Sequence, residues 1–598
     1  MRHGGMVMYV GNPAGMRRCI RYWFVGLASL LGVLAVWLFV IQVLLHPALA
    51  KEAEKLQRVK ADLLGARGTI YDRNGVPLAI SRICYSIFID PGKIDPKQHP
   101  VDKLAPIVKR PASEVAAAIA HPGRFVWLVR RPDDQTIVRV RALCEAKQAP
   151  GGKSVPGLQG VGFQPEKQRL YPYGELAGQT LGLVRDDNTG GAGIECAFDK
   201  LLAAQDGYLL AEVDGSNHRR VIPGRRLKQV EPRRGRDIYL TLDVRIQEIA
   251  EAALREGVKS CRATAGTAIV LDPMTGEVLA LATYPSVDPN QYRRYSKEQW
   301  RNPAITCVYE PGSTFKLVAA CAAMEYGGRT PDSPVVTCTG SKAIGNRTIH
   351  CALHGGSRAH GTLNLHAVIV KSCNIGAATL ALSVGPDTFY KALRGLGFTQ
   401  RTNIGLPGEA AGSVPPPRTW QNIRLANLGF GQGITVTAPQ LLAGYSAVAA
   451  GGVLPAVHIV DRIARESGEA QKVRYQGRRV LSEETAQAMV SMLRDVVTEG
   501  TGKAAQVDGF AVAGKTGTAQ KPIPGKGYKS GKYIGSFVGF APAEDPRVAI
   551  LVIMDEPQGS HYGGVVAAPV FREVARRSLA YLGMPPRLLA QAPETLRP

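Results

Sequence analysis

Ser313-Thr-Phe-Lys316, Ser372-Cys-Asn374 and Lys515-Thr-Gly517 are the three stretches that decide the fold of this chain. Each pattern (S-x-x-K, S-x-N and K-T-G) occurs once in 598 residues, and the three come in this order. Together they supply a nucleophile, an amine that can activate it, a polar bridge, and a cation beside a hydroxyl that can hold a carboxylate. An isolated S-x-x-K is usually a capping serine and a solvated lysine. Because all three stretches occur together and in order, the sequence instead predicts a serine acyl-transfer site.

The first stretch places a serine and a lysine one helical turn apart. A helix is predicted over 313–326, ended by Gly327-Gly328. Ser313 then begins the helix, where the helix dipole favours negative charge on its oxygen, and Lys316 lies on the same face. To accept a proton Lys316 must be partly neutral, which burial and a second cation, Lys515, would promote.

The second stretch is predicted to be a tight turn between two apolar helical segments. Ser372 and Asn374 are separated by one residue, so such a turn can aim both side chains into one cleft. In that position the Ser372 hydroxyl can relay a proton, and the Asn374 amide can hold a substrate peptide group.

The third stretch is predicted to lie on an edge strand over 511–520. Lys515 and Thr516 offer a cation and a hydroxyl for a terminal carboxylate. Gly517 lets a peptide backbone approach closely and pair with the strand. The backbone N–H groups of Ser313 and Thr518 are the expected oxyanion donors.

An uncharged apolar segment, residues 22–45, follows three arginines near the N-terminus. Its length predicts a membrane-spanning helix, and the basic flank predicts that residues 1–21 are cytoplasmic. The rest of the chain is then expected outside the inner (cytoplasmic) membrane. A cleaved signal peptide is the alternative, because Ala48-Leu-Ala50 resembles a cleavage site. Apolar regions of signal peptides are only about 7–15 residues long, so we expect an uncleaved, single-pass anchor.

Composition and charge narrow the classes of partner. The chain is 45% hydrophobic and 20% charged, as in an ordinary globular protein, and is long enough for several domains. A net charge of +24 would raise nucleic acid as a partner of a cytoplasmic protein. The predicted topology argues against nucleic acid, and no basic run is interleaved with aromatic residues. Anionic lipid headgroups and anionic cell-wall polymers are the expected counterparts, and a dispersed, solvated basic surface without a specific partner is the alternative.

The order of predicted elements indicates an α/β fold with an antiparallel sheet covered by helices. A helix over 51–65 is predicted to leave the membrane, followed by short strands and turns to about residue 230. Beyond a charged junction, strands are predicted over 238–242, 265–270, 278–282, 536–540 and 548–554, and helices over 244–257 and 570–582. The Pro-rich end, 584–598, is expected to be a mobile tail.

With these features the chain resembles the class B penicillin-binding proteins, which are membrane-anchored peptidoglycan D,D-transpeptidases, over nearly its whole length. Arg67-Gly-Thr-Ile-Tyr-Asp-Arg-Asn-Gly75, Arg169-Leu-Tyr-Pro-Tyr-Gly174 and residues 191–195 resemble the non-catalytic pedestal of that family. Tyr309-Glu-Pro-Gly-Ser-Thr314 and residues 562–571 are most similar to its cell-division and sporulation branch. In the elongation branch, Asp usually replaces the Asn of the S-x-N stretch.

The resemblance implies an order of domains. These are a cytoplasmic N-terminus (1–21), a transmembrane anchor (22–45), an elongated, mostly-β pedestal of the dimerisation type (46–230), a penicillin-binding/β-lactamase-like transpeptidase domain (235–583) and the tail (584–598). The glycosyltransferase signature of bifunctional relatives is missing from the pedestal. The resemblance therefore implies a polytopic membrane glycosyltransferase of the division machinery as a partner.

The resemblance also implies a role for each residue of the three stretches. It assigns catalysis to Ser313, Lys316, Ser372 and Lys515, and substrate binding to Asn374, Thr516, Gly517 and Thr518. The serine is acylated by the penultimate D-Ala of a stem peptide ending in D-Ala-D-Ala, and an amine of a neighbouring stem peptide then forms the cross-link during septal wall synthesis. β-Lactams acylate the same serine and stay. No cofactor and no metal is implied.

Other functions remain open at this point. A β-lactamase needs an activated water, and no Glu-x-x-x-Asn follows Ser372 to position one. A D,D-carboxypeptidase uses the same acyl-enzyme and differs only in its acceptor. A β-lactam sensor would need a cytoplasmic signalling domain, and an inactive division scaffold would tolerate the loss of Ser313 or Lys316, yet both are present.

Three cysteines and a histidine lie close in sequence to the S-x-N stretch: Cys338, Cys351, His360 and Cys373. Outside the membrane, paired cysteines tend to oxidise, so a disulfide between Cys338 and Cys351 is one hypothesis. A thiolate and imidazole zinc site is a second, since these ligands suit that metal. Buried cysteines acting as small apolar side chains are the third. The spacing matches no zinc finger.

Overall fold

The structure is a computed structural model that describes residues 13–145, 147–148, 154–214, 221–351, 359–521, 527–528 and 531–586. By packing, the chain divides into two compact units. One contains the residues up to Gly65 together with Gln205–Arg233, and the other contains Ala66–Ala204 and the residues from Arg234 onward. The predicted tail over 584–598 and the predicted cytoplasmic N-terminus over 1–21 lie largely outside the described residues.

The helices are distributed along the whole described chain. They are α1 (Pro13–Phe39), α2 (His46–Gln57), α3 (Pro100–Val108), α4 (Ala112–Ile119), α5 (Asp134–Cys144), α6 (Gly178–Leu181), α7 (Gly193–Ala197), α8 (Asp199–Leu202), α9 (Val244–Cys261), α10 (Pro303–Thr306), α11 (Lys316–Glu325), α12 (Leu365–Val370), α13 (Asn374–Gly395), α14 (Asn422–Gly429), α15 (Ala438–Ala449), α16 (Glu483–Thr498), α17 (Gly563–Val566) and α18 (Ala568–Tyr581).

The strands alternate with these helices. They are β1 (Arg58–Leu63), β2 (Ile70–Tyr71), β3 (Pro77–Ile89), β4 (Val126–Val129), β5 (Lys147–Gln148), β6 (Ser154–Val155), β7 (Val161–Leu170), β8 (Gly207–Val213), β9 (Val221–Val230), β10 (Ile238–Leu240), β11 (Ala265–Leu271), β12 (Val278–Tyr284), β13 (Pro334–Cys338), β14 (Ser341–Ile344), β15 (Arg347–His350), β16 (Gly361–Asn364), β17 (Val453–Leu454), β18 (Val460–Ala464), β19 (Ala470–Lys472), β20 (Arg478–Arg479), β21 (Ala513–Gln520), β22 (Tyr533–Ala541) and β23 (Val548–Asp555).

The first unit contains the apolar N-terminal helix and a small sheet. Residues Ala14–Leu44 form a continuous apolar helical segment, none of it buried, that is long enough to cross a membrane. The predicted helix over 51–65 is wrong in its second half. Helix α2 ends at Gln57, and Arg58–Leu63 is instead strand β1, which pairs antiparallel with β8 in the order β1-β8-β9. Pairing with a distant strand outweighs the local helix propensity of this segment.

In the second unit, the main antiparallel sheet has the strand order β12-β11-β23-β22-β21. Alternate residues of each strand face opposite layers of helices, as the strand period requires. In β11, Ala268 and Val270 pack in the core formed with α9 and α18, while Ile269 and Leu271 pack in the core that also contains α11, α13 and α15. The predicted antiparallel sheet covered by helices is confirmed, and β21 lies at its edge, as predicted.

A second sheet of this unit joins strands from distant parts of the chain. Its order is β19-β18-β10-β2-β3-β4, with β7 also paired to β3. Strand β10 runs parallel to β2, with Ile238 opposite Ile70, and antiparallel to β18 on its other side. Residues 66–204 also contain α3, α4 and α5, which pack together on β3 and β4 and which the sequence analysis did not predict. The predicted pedestal therefore contributes helices as well as strands.

A buried ion cluster ties together the three pedestal stretches that carried the family resemblance. The Glu195 carboxylate is fully buried and accepts hydrogen bonds from Arg67 Nε at 2.7 Å and from Arg169 Nε at 2.6 Å. The Tyr171 hydroxyl donates to the same carboxylate at 3.3 Å. Both guanidinium groups are themselves at most 5% exposed. Glu195 therefore pairs with two arginines from separate segments, and Asp199, 2.7 Å from Arg67, supplies a second negative charge.

We expect Glu195→Ala to destabilise the folded protein by about 3–5 kcal/mol, because it removes the carboxylate that pairs with buried Arg169 and leaves buried Arg67 with Asp199 alone. The free energy of unfolding from denaturant titration of the full chain measures the effect. Glu248→Ala is the control, since Glu248 pairs with Arg245 at an exposed position and should cost less than about 1 kcal/mol. Equal losses in the two variants would contradict the assignment.

Candidate active site

The Ser313 side chain lies on a short 3-10 turn, Gly312–Phe315, immediately before helix α11 begins at Lys316. The helix predicted from residue 313 therefore begins three residues later. Gly312 has φ +56°, and a side chain there would come within 2.7 Å of the Thr518 carbonyl oxygen. A left-handed backbone and close packing both require glycine at this position. The turn is thereby held against strand β21.

The Lys316 amine connects the first two sequence stretches. It is completely buried, and Nζ donates to Ser313 Oγ at 3.0 Å and to Ser372 Oγ at 3.1 Å. It also donates to the Ser372 carbonyl oxygen. Burial lowers the pKa of Lys316 to about 8, as predicted, because the charged ammonium is desolvated. About a tenth of Lys316 is then neutral at pH 7 and able to accept the proton of Ser313.

The Ser372 side chain lies in the tight turn predicted between two helices, with α12 ending at Val370 and α13 beginning at Asn374. Its φ of 56° is left-handed, an uncommon conformation for serine. Cys373 caps α13, since its sulfur accepts the Gly376 N–H. This unusual turn holds the Ser372 hydroxyl between two lysine amines.

The second of those amines belongs to Lys515 on the edge strand β21. Its Nζ donates to Ser372 Oγ at 3.0 Å and lies 3.3 Å from both the Thr516 carbonyl and hydroxyl oxygens. Burial, and then the nearby Lys316 charge, hold the pKa of Lys515 well below its usual value. Burial is the largest cause of the lowered pKa of both lysines, and the expected repulsion between them adds to it.

A cavity of about 750 Å³ opens in front of these groups. Of the residues named by the sequence analysis, those lining it are Ser313, Ser372, Asn374, Thr516 and Thr518. Asn374 Nδ2 donates to the His350 carbonyl oxygen at 3.2 Å, which fixes the amide at one side. The three sequence stretches thus converge on one cavity, and the two buried lysines contact Ser372, which lines it.

Gly517 faces the interior of the site. A side chain at this position would lie 2.4 Å from Ser536 Oγ and 2.8 Å from Thr314 Cγ2. The missing side chain therefore lets β21 pack against the turn that carries Ser313. Substrate binding by Gly517 stays a prediction. Close packing against Ser536 and Thr314 is a second reason for glycine at this position.

Two site residues were not found from the sequence. Thr501 lies after α16, and its hydroxyl is 2.7 Å from the Thr516 hydroxyl, which extends the polar group opposite Ser313. Tyr445 is buried in α15, and its hydroxyl donates to the Thr314 carbonyl oxygen at 2.7 Å, which anchors the nucleophile turn. A single threonine and a single tyrosine in ordinary surroundings give no sequence signal.

Comparison with protein families matches residues 266–576 to the penicillin-binding protein transpeptidase domain and residues 62–240 to the penicillin-binding protein dimerisation domain. The chain belongs to the class B penicillin-binding proteins. The family resemblance drawn from its sequence is confirmed.

Named relatives of this penicillin-binding protein extend the match over most of both chains. It is 35% identical to the probable peptidoglycan D,D-transpeptidase PenA of Neisseria meningitidis, over 88% of this chain and 86% of that protein. It is 32% identical to the peptidoglycan D,D-transpeptidase FtsI of Escherichia coli, over 94% of this chain and 91% of that protein. Penicillin-binding protein 3 of Mycobacterium tuberculosis, solved in complex with aztreonam, superposes with a TM-score of 0.66 at 31% identity, covering 88% and 99% of the two chains.

The pH dependence of acylation follows from the state of Lys316. Its neutral form is the base, and protonation below pH 8 removes that form. We therefore expect the acylation rate to rise about tenfold per pH unit up to about pH 8 and to level off above it. Stopped-flow measurement with a chromogenic β-lactam gives this profile. A rate that is flat or falls over that range would contradict the assignment of Lys316 as base.

Proposed function

We propose that this protein is a peptidoglycan D,D-transpeptidase that cross-links stem peptides through an acyl-enzyme on Ser313. The observation that carries the proposal is the continuous hydrogen-bonded series from Ser313 through Lys316 and Ser372 to Lys515. It lies in a domain of the transpeptidase family, beside a cavity large enough for a peptide.

Acylation begins when Ser313 Oγ attacks the carbonyl of the penultimate D-Ala. The neutral Lys316 amine lies 3.0 Å from Oγ and takes its proton as the new ester bond forms. Backbone N–H groups of Ser313 and Thr518 hold the oxyanion. Ser372, which contacts both lysine amines, gives its hydroxyl proton to the departing nitrogen and receives in return the proton that Lys316 took from Ser313. The amide bond then breaks, and terminal D-Ala leaves as the free amino acid.

Binding of the donor peptide uses the other side of the cavity. Lys515 and Thr516, joined by Thr501, hold the terminal carboxylate. The donor backbone pairs with the edge strand β21 beside Gly517. Asn374 binds the amide of the preceding residue. This arrangement places the scissile carbonyl in front of Ser313.

The second half-reaction transfers the acyl group to an amine of a neighbouring stem peptide. The amine attacks the ester carbonyl and gives a proton to the neutral Lys316 amine, which returns a proton to Ser313 Oγ as the ester bond breaks and the new amide cross-link forms. A β-lactam opens its ring on the same serine, and its leaving nitrogen stays attached to the acyl group. The acyl-enzyme is therefore long-lived, which inhibits the protein.

The proposal includes a location. The apolar segment Ala14–Leu44 anchors the chain in the inner membrane, with the basic N-terminus in the cytoplasm and the catalytic residues outside. Polymerisation of the glycan then comes from a polytopic membrane glycosyltransferase of the division machinery, in septal wall synthesis.

Full-length protein in detergent, supplied with glycan strands that carry uncross-linked pentapeptides, tests the proposal. Mass spectrometry of the digested product should show peptide dimers in amounts that match the released D-Ala. Release of D-Ala without dimers would make the protein a D,D-carboxypeptidase, and neither product would favour a scaffold or a sensor. Ser313→Ala serves as the blank for both products.

A further inference from the structure

Three thiols and an imidazole meet beside the 372–374 turn. Cys338 ends β13, Cys351 follows β15, His360 precedes β16, and Cys373 lies within the turn itself. Cys338 and Cys373 are fully buried, while Cys351 and His360 are partly buried. Their Sγ atoms and one His360 ring nitrogen all lie within 4.8 Å of one another. Four separate segments therefore contribute one ligand-type atom each.

Three of the six distances between these atoms are close to those of a tetrahedral metal site, and all six are within 4.8 Å. Cys351 Sγ is 3.6 Å from Cys373 Sγ, and His360 Nδ1 is 3.4 Å from Cys351 Sγ and 3.8 Å from Cys338 Sγ. With usual zinc bond lengths, tetrahedral geometry places two sulfurs about 3.8 Å apart and a sulfur and a nitrogen about 3.6 Å apart.

We propose that Cys338, Cys351, His360 and Cys373 bind one zinc ion that fixes the 372–374 turn. A Cys₃His set is a closed, structural type of zinc site with no position left for a substrate. This structural role goes beyond the proposed transpeptidation, because the ion touches no reacting atom. It acts by positioning Ser372 and Asn374, the two residues that flank the zinc ligand Cys373.

Backbone N–H groups already point at two of the sulfurs. The Asn374 N–H donates to Cys351 Sγ at 3.4 Å, and the Gly376 N–H donates to Cys373 Sγ at 3.3 Å. Such bonds stabilise metal-bound thiolates and orient them. Asn374 is itself a predicted substrate-binding residue. Its backbone N–H therefore contacts a proposed zinc ligand while its side chain lines the cavity.

Charge and proton balance are also met. As three Zn–S bonds form, three thiol protons leave to water, and three thiolates with Zn²⁺ and a neutral imidazole carry a net charge of −1. That charge lies one residue from Ser372, whose oxygens accept from the Lys316 amine. A site of net negative charge therefore neighbours the buried Lys316 amine.

A disulfide explains the cluster less well. All ten cysteines are free in the structure, and a Cys338–Cys351 bond would leave Cys373 unpaired beside it. A disulfide also does not explain why a His360 ring nitrogen lies within 3.8 Å of two of the sulfurs. A four-ligand ion uses every member of the cluster.

Metal analysis of the full chain, purified in detergent without chelator or reductant, tests the inference. We expect about one zinc per chain, and cobalt substituted for it should give the absorption of a tetrahedral thiolate site. Cys338→Ser should lower the zinc content at least tenfold. Cys307→Ser is the matched control, because Cys307 is exposed and outside the cluster, and should keep the metal.

Two measurements on the wild type keep the test independent of variant folding. Chelation should slow acylation by a fluorescent penicillin roughly tenfold, and added zinc should restore the rate. After denaturation in chelator without reductant, all ten cysteines should react as thiols. Absence of bound zinc and of a cobalt spectrum, or a count lower by two thiols, would overturn the proposal.

Discussion

Replacing Ser313 by alanine is expected to abolish labelling by a fluorescent penicillin and to lower cross-linking about 10⁴-fold or more. The physical reason is that Ser313 Oγ is the proposed nucleophile, 3.0 Å from the Lys316 amine, whereas the other cavity hydroxyl on this amine, Ser372 Oγ, is held between two lysines. Without an ester intermediate, neither half-reaction can proceed. Gel fluorescence after incubation with the penicillin, and dimer yield from pentapeptide strands, measure the loss.

Ser383→Ala is the control for that experiment. Ser383 lies on the exposed side of α13, and its hydroxyl donates to the Leu380 carbonyl oxygen. We expect normal labelling from this variant and an unchanged melting temperature for both. Residual labelling of Ser313→Ala at the wild-type rate would place the nucleophile elsewhere in the chain.

Replacing Lys316 by methionine is expected to slow acylation about 10³-fold, because the serine loses its general base. Methionine is also unbranched and fills the buried space, so the change removes the amine with little loss of packing. The hydrogen bonds to both Ser313 and Ser372 disappear together. The second-order rate constant for a chromogenic β-lactam measures the effect, and the rise towards pH 8 should vanish with it.

Lys371→Met provides the same substitution at an exposed lysine next to Ser372. We expect its acylation rate and pH profile to match those of the wild type. If Lys316→Met retained a rising profile with the same midpoint, Lys515 would be the titrating base instead, since it is the other buried amine in contact with Ser372.

The main sheet and the catalytic stretches were predictable because local sequence and tertiary structure agree there. Alternate residues of the strands around 265–282 pack in two different apolar layers. Both faces of these strands are therefore apolar, and a short apolar run bounded by turns is easily recognised in the sequence. The catalytic lysines were found because S-x-x-K and K-T-G are short and specific. Their contact through Ser372 then followed from chemistry, and the structure brings the three groups within hydrogen-bonding distance.

Features that depend on distant pairing were not predictable. Arg58–Leu63 has the composition of a helix and becomes a strand only because β8 lies beside it. Thr501 reaches the site through the fold, with no pattern of its own. The cysteines were visible in the sequence, but their spacing left three hypotheses open. Only the folded positions of β13, β15 and β16 bring the sulfurs together.

The sheet that pairs Ile70 with Ile238 bears on how such proteins can exchange parts. A chimaera joined near residue 235 would take β2 and β3 from one parent and β10 and β18 from the other, although these strands are neighbours in one sheet. In a hybrid with that crossover, the side chains of β2 from one parent would have to pack against those of β10 from the other. A crossover between residues 284 and 513 separates β11 from its neighbour β23 in the same way. We therefore expect viable mosaics to keep residues 66–240 and the 460–472 hairpin from one parent, and β11 and β23 from one parent.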